Sequence, residues 1–257
     1  MEAKACNILI TGANRGLGLE MVRQLAAKSC PGCQIFAGCR DPGAPKSQDL
    51  RELAKKHPGL IHVVQIDISD LRSITDCAKK VGPLLGKGGL NMLVNNAGVA
   101  HLVSMKDITA KDMEESFKTN LLGPMMMTKE FLPYLQVAAK ACGKPGMSCS
   151  KAAVINISTV GGSMAKSHEM FDMFPVIPYR ISKAGLNMLT VCNALEFKED
   201  GILFVALHPG WVQTDMGGKN ADLSAQESVQ GMLRVMKSLT EKQNGAFLDY
   251  RGDVMPF

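Results

Sequence analysis

Residues 7–25 read NILITGANRGLGLEMVRQL. A strand-like apolar run ends in Thr11, glycines follow at 12, 16 and 18, and an amphipathic helical pattern starts near residue 17. Glycine lets a backbone turn tightly and approach a pyrophosphate, and a helix N-terminus offers N–H donors and a positive dipole end. The spacing is GxxxGxG, a loose fit to the commoner GxGxxG, and its position after the first strand is what gives it weight. Further strand-like runs, CQIFAGC, IHVVQID, NMLVNN, AAVINIS, ILFVALH and GAFLDY, alternate with helical patterns near 47–57, 70–81, 110–140, 179–199 and 224–239. Near-continuous apolar strands separated by helices imply a parallel sheet buried on both faces. No repeat, low-complexity tract or composition break divides the chain, so residues 1–257 are expected to form one α/β domain.

Composition narrows the function. Charged residues make up 21% and hydrophobic residues 46% of 257, a globular balance with ample core. A net charge of +5, no basic run, three tyrosines and one tryptophan give no support for nucleic acid as a partner. The opening MEAKAC lacks the basic-then-apolar order of a secretory signal, and no apolar run reaches the roughly 18 residues of a span. A cytoplasmic protein with no membrane partner is expected. The eight cysteines are scattered and read as mostly buried thiols. Cys30 and Cys33 have CxxC spacing but fall in a turn after a helix, and no second ligand pair accompanies them, so no metal site is expected.

Two further stretches carry chemistry. The second strand ends FAGCRDP, where a carboxylate would bind a free ribose 2′-hydroxyl. Gly38 and Cys39 stand there instead, followed by Arg40, and Arg15 lies inside the glycine loop. Two guanidiniums fit a ribose 2′-phosphate, which arginine can grip with two bonds. Asp41, next to a proline, reads as a turn residue. In IPYRISKAGLNML (177–189), Tyr179 and Lys183 stand one helical turn apart and share a face. A phenol has a pKa of about 10, and a nearby ammonium lowers it by roughly 1–3 units, which would make a general acid/base. Before this pair, the 161–178 connection is longer than most and carries Met164, Met170, Phe171, Met173 and Phe174. These suggest an apolar surface over a site or a subunit contact.

TGANRGLG, NNAG (95–98), Asn120 in KTNLLG, INIST (155–159), YRISK (179–183) and HPGWVQTDM (208–216) together resemble the short-chain dehydrogenase/reductase family, over essentially the whole chain. Within it the chain looks most like the sniffer-type NADPH-dependent carbonyl reductases, on RGLGL, HPGWVQTDMGG and EKQNGAFLDYRG. The resemblance implies a doubly wound Rossmann fold with seven parallel strands in the order 3-2-1-4-5-6-7 and helices on both faces. It implies NADPH as cofactor, a small carbonyl substrate and a possible homodimer. Tyr179 would donate the proton, Lys183 would lower its pKa and bind the nicotinamide ribose, and Asn120 would hold a water leading from Lys183 to solvent. Gly12, Asn14, Arg15, Gly16, Leu17, Gly18 and Arg40 would hold the phosphates. Asp67 and Ile68 would meet the adenine, Asn95, Ala97 and Gly98 would flank the cofactor, and Pro209, Gly210, Val212 and Thr214 would meet the nicotinamide carboxamide. The family serine falls at Ser158-Thr159. Period-two alternation lets only one face the cleft, and motif alignment selects Thr159, with Ser158 the alternative. A non-catalytic NADP-binding sensor and an alcohol dehydrogenase working oxidatively are the competing readings.

Overall fold

A computed structural model describes residues 6–29, 31–141, 143, 145–172 and 175–257. Cys30, Met173 and Phe174 lie outside the described residues. Seven parallel strands form one sheet in the order β3-β2-β1-β4-β5-β6-β7. They are β1 (Asn7–Thr11), β2 (Gln34–Cys39), β3 (Ile61–Gln65), β4 (Met92–Asn95), β5 (Ala153–Ile157), β6 (Leu203–His208) and β7 (Phe247–Asp249). The helices are α1 (Gly16–Ala27), α2 (Gln48–Lys56), α3 (Leu71–Leu85), α4 (Ala110–Phe117), α5 (Gly123–Ala141), α6 (Ser167–Met170), α7 (Ile177–Glu196) and α8 (Ala225–Ser238). None is long and apolar enough to cross a membrane.

Alternation along the strands explains the two faces. Ile8, Ile10, Val94, Ile155 and Val205 pack with Met21 of α1 and Met232 of α8. Their neighbours Leu9, Leu93, Val154 and Phe204 pack on the other side with Ile74 of α3, Phe131 of α5 and Ala194 of α7. Each of these four central strands is therefore apolar on both sides, the reason its sequence reads as a continuous run. Because β1 lies between β2 and β4, the winding reverses there, and a crevice opens at the carboxyl ends of β1 and β4.

Three local differences from the sequence reading bear on the site. The pattern at 110–140 is α4 and α5 joined by a π turn, Lys118–Leu122. Such turns insert an extra residue and concentrate at functional sites, and here Asn120 is carried fully into the interior. The 161–178 connection has structure of its own, a 3-10 turn at Val160–Gly162 and the short α6. Helix α7 begins at Ile177, since Pro178 sits in its first turn where no N–H is needed.

Candidate active site

The glycine loop is built for close approach. Gly12 has φ +65°, and a Cβ there would stand 2.9 Å from Ala97 Cα. A Cβ on Gly18 would lie 2.2 Å from the Gly12 carbonyl oxygen. Helix α1 starts after Arg15 with no side-chain cap, so its first-turn N–H groups face the loop as donors. Thr11 Oγ1 accepts from Asn96 N at 3.0 Å and Ala97 N at 3.1 Å, joining the ends of β1 and β4. Asn96 Nδ2 donates to Thr11 O at 2.9 Å and Gly12 O at 3.3 Å and so holds the loop itself. The sequence reading missed Asn96, although the second asparagine of NNAG marks it. A backbone cradle of this kind fits a dinucleotide pyrophosphate.

The other predicted residues around the cradle divide into two groups. Arg40 is exposed at the end of β2 and Asp67 is half-buried at the end of β3, both on the crevice edge. Asp67 Oδ1 accepts from Ser69 N and Oγ, so the carboxylate also caps its own turn. Thr214 lies across from Gly16, where an added Cβ would touch its Cγ2 at 3.5 Å. Gly210, at φ +81°, and Val212, bridged to Leu223, shape the same turn, while Pro209 O accepts from Ser228 Oγ at 2.7 Å. Asn14 and Leu17 are partly buried on the glycine loop. Three of these residues have side chains engaged elsewhere. Arg15 Nη1 is 2.5 Å from Asp215 Oδ2, because this carboxylate reaches the glycine loop from the turn after β6. Asn95 donates to Asn156 Oδ1 at 2.8 Å inside the sheet, since period two turns its side chain toward β5 and α7. Ile68 sends its side chain into the core. Asp41 Oδ1 accepts from Gly43 N and Ala44 N, the turn role read from its proline neighbour.

At the far side of the crevice the tyrosine, threonine, lysine and asparagine converge. Strand β5 ends at Ile157, so the next two residues no longer follow strand alternation freely. Ser158 is buried and donates to Asn187 Oδ1 at 2.6 Å. Thr159 begins the 3-10 turn and is hydrogen-bonded with Tyr179. Lys183 Nζ donates to Ile157 O at 2.7 Å and sits 5.7 Å from the Tyr179 ring centroid. Gly98 leaves room for both partners, since a Cβ there would lie 3.2 Å from Asn120 Oδ1 and 3.8 Å from Lys183 Nζ. Asn120 Oδ1 accepts from Val99 N, and its Nδ2 donates to Val99 O and Ser182 Oγ, each at 2.9 Å. Ser182 Oγ in turn donates to Tyr179 O at 2.8 Å. Ser182 and Asn187 are further residues that the sequence reading missed, because nothing local marks a buried serine as a link between helices.

The protonation chemistry differs from the sequence expectation in one respect. Burial pushes the Tyr179 phenol up from 10.0 to about 12, and the bond to Thr159 offsets only part of this. Burial also pulls Lys183 down from 10.5 to about 8. Desolvation disfavours both charged forms and outweighs the attraction expected between them.

A hydroxyl pair beside a buried lysine, facing a glycine-lined crevice, defines a dinucleotide-linked oxidoreductase site. Residues 6–224 match the short chain dehydrogenase family model, and the chain belongs to that family. It is similar to the NADPH-bound carbonyl reductase from chicken fatty liver, at 45% identity and TM-score 0.95, over 100% of this chain and 96% of that one. The carbonyl reductase Sniffer of Drosophila melanogaster is similar at 34% identity and TM-score 0.90, over 99% and 100%. The C-signal of Myxococcus xanthus is 38% identical over 171 residues, 66% of this chain and 94% of that protein.

Proposed function

We propose that the chain reduces aldehydes or ketones with NADPH, with Tyr179 as the proton donor. The observation that carries this reading is the Tyr179–Thr159 hydrogen bond beside Lys183. Similarity to two carbonyl reductases supports it. The nicotinamide supplies the hydride when bound. Thr159 and Tyr179 hold the substrate oxygen between two hydroxyls, and Tyr179 gives its proton to that oxygen. A phenol held near 12 is protonated at neutral pH, the form that reduction requires. The Lys183 ammonium favours the phenolate left behind. Asn120 would hold a water between Lys183 and solvent, and with its side-chain groups engaged by Val99 and Ser182 it would do so through its main chain.

Arg40 and Arg15 would meet a 2′-phosphate, Arg15 on leaving its exposed pair with Asp215, a pair worth about 0–1 kcal/mol. Exposed Ile181, Met188 and Leu195, spaced by seven on α7, support pairing of two copies, which sedimentation tests. Apolar carbonyls are the substrate class favoured by the Met- and Phe-bearing connection. A signalling protein that binds NADP is the second reading, favoured by the C-signal similarity. A proton donor has no use in such a protein. Titration with NADPH followed by turnover of a carbonyl panel separates the readings: tight binding with no turnover of any carbonyl contradicts the reductase, and faster turnover of alcohols with NADP+ contradicts the reductive direction.

A further inference from the structure

We propose that Asp215 is a specificity-determining residue: its carboxylate competes with a ribose 2′-phosphate for the Arg15 guanidinium and so lowers the preference for NADPH over NADH. The proposal rests on the reading of Arg15 as a 2′-phosphate contact given above. Arg15 is the residue before α1, at a helix start that attracts anions. The first turn of α1 holds no acidic side chain, and no side-chain bond caps it. The carboxylate that does reach this place comes from the opposite wall of the crevice.

Arg15 Nη1 donates to Asp215 Oδ2 at 2.5 Å, between residues 200 positions apart in sequence. A second approach adjoins it, since a Cβ on Gly16 would stand 3.5 Å from Thr214 Cγ2. The glycine loop and the turn after β6 thus meet at two neighbouring positions. Asp215 is not needed to shape its own turn. Gly217 N donates to Thr214 Oγ1 at 3.1 Å, Gly218 N to Thr214 O at 2.9 Å, and Trp211 Nε1 to Gly217 O at 2.8 Å. Among the described residues the Asp215 carboxylate is bonded to Arg15 alone. Both side chains are exposed, at 52% and 75%, so the pair yields readily to another anion. Arg40, the other guanidinium read as a phosphate contact, forms no ion pair among the described residues. Only one of the two is therefore opposed. NADPH must displace the carboxylate to gain Arg15, and a carboxylate left beside its phosphate adds like-charge repulsion. NADH, which lacks that phosphate, leaves the pair intact.

Fluorescence titration with NADPH and with NADH tests this. Asp215→Asn keeps the shape and removes the charge. It should tighten NADPH about two- to fivefold, the range of an exposed ion pair, and change NADH by less than about 1.5-fold. Added salt should shrink the gain, and Asp215→Glu, which keeps the charge, should lose most of it. In an Arg15→Ala background Asp215→Asn should leave NADPH affinity within about 1.5-fold, since the pair it acts through is gone. In an Arg40→Ala background it should keep its full effect. Unchanged or weaker NADPH binding by Asp215→Asn, equal tightening of both nucleotides, or a gain that survives Arg15→Ala would each overturn the proposal. A wild type that binds both nucleotides alike and does not respond to Arg15→Ala would instead remove the reading of Arg15 on which the proposal stands.

Discussion

The two walls of the crevice are built in different ways. On the β1 side the work is done by backbone: Gly12 and Gly18 allow contacts that any Cβ would block, and Asn96 and Thr11 tie the loop through main-chain groups. On the α7 side it is done by buried side chains in series, with Asn120 joined to Ser182, Ser182 to the Tyr179 carbonyl, and Tyr179 to Thr159. The first wall tolerates exposure and grips what many ligands share. The second is desolvated, which is why its titrating groups are displaced in opposite directions. Binding and chemistry should therefore be separable by mutation.

The largest separation is expected at Tyr179. Loss of a positioned acid typically costs on the order of 10²–10⁴ in rate, so Tyr179→Phe should lose turnover by that factor and keep its NADPH affinity. Stopped-flow kinetics with a parallel fluorescence titration checks both; a parallel fall in affinity would merge the two walls. Next is Thr159→Val, which keeps the shape and loses the hydroxyl. A fall of about 10²-fold in kcat is expected, the low end for such a group, with Thr159→Ser active. Ser158→Ala should spare turnover and lower the melting temperature, since Ser158 is bonded to Asn187. The reverse pattern in steady-state assays would exchange the two roles.

On the backbone wall, Arg40→Ala should weaken NADPH about 10- to 150-fold, the worth of one charge-assisted hydrogen bond, and leave NADH nearly unchanged. Added salt should erode the wild-type preference because Arg40 is exposed. Equal affinity of the wild type for both nucleotides would show that Arg40 does not meet the phosphate.

The smallest effect is in stability. Lys183 falls from 10.5 unfolded to about 8 folded, so the unfolded chain binds more protons between those values. Stability should rise with pH across that window, by at most roughly 3 kcal/mol, the burial cost being fully present below it. Tyr179 has the opposite sign: raised from 10.0 to about 12, it should make stability fall over that interval. Denaturant titrations should show the rise between pH 8 and 10 in the wild type, and Lys183→Met should abolish it.

The same contrast explains what could be read from the sequence. The two buried sheet faces and the glycine loop were legible because each rests on a local rule, apolar runs and glycine where no Cβ fits, whereas the strand order came only through the family resemblance. That Tyr179 and Lys183 lie side by side was legible from their spacing, and the approach of Thr159 to Tyr179 only from the family motif. The π turn was not, since the 110–140 pattern keeps helical periodicity on both sides of it. Nor were the Arg15–Asp215 pair, 200 residues apart in sequence, or the turning of Asn95 into the sheet. These depend on which side chains tertiary packing brings within reach, and no residue type announces that alone.

The central claim is that hydride reaches a carbonyl carbon in a site where Tyr179 supplies the proton. It is tested most directly by following the label from NADPH deuterated at its transferable position, with mass spectrometry of the alcohol formed from a carbonyl panel. The expected result is one deuterium on the carbinol carbon with the wild type and almost none with Tyr179→Phe, although both bind NADPH. Bound NADPH with no labelled alcohol from any carbonyl, or equal labelling by the two proteins, would contradict it.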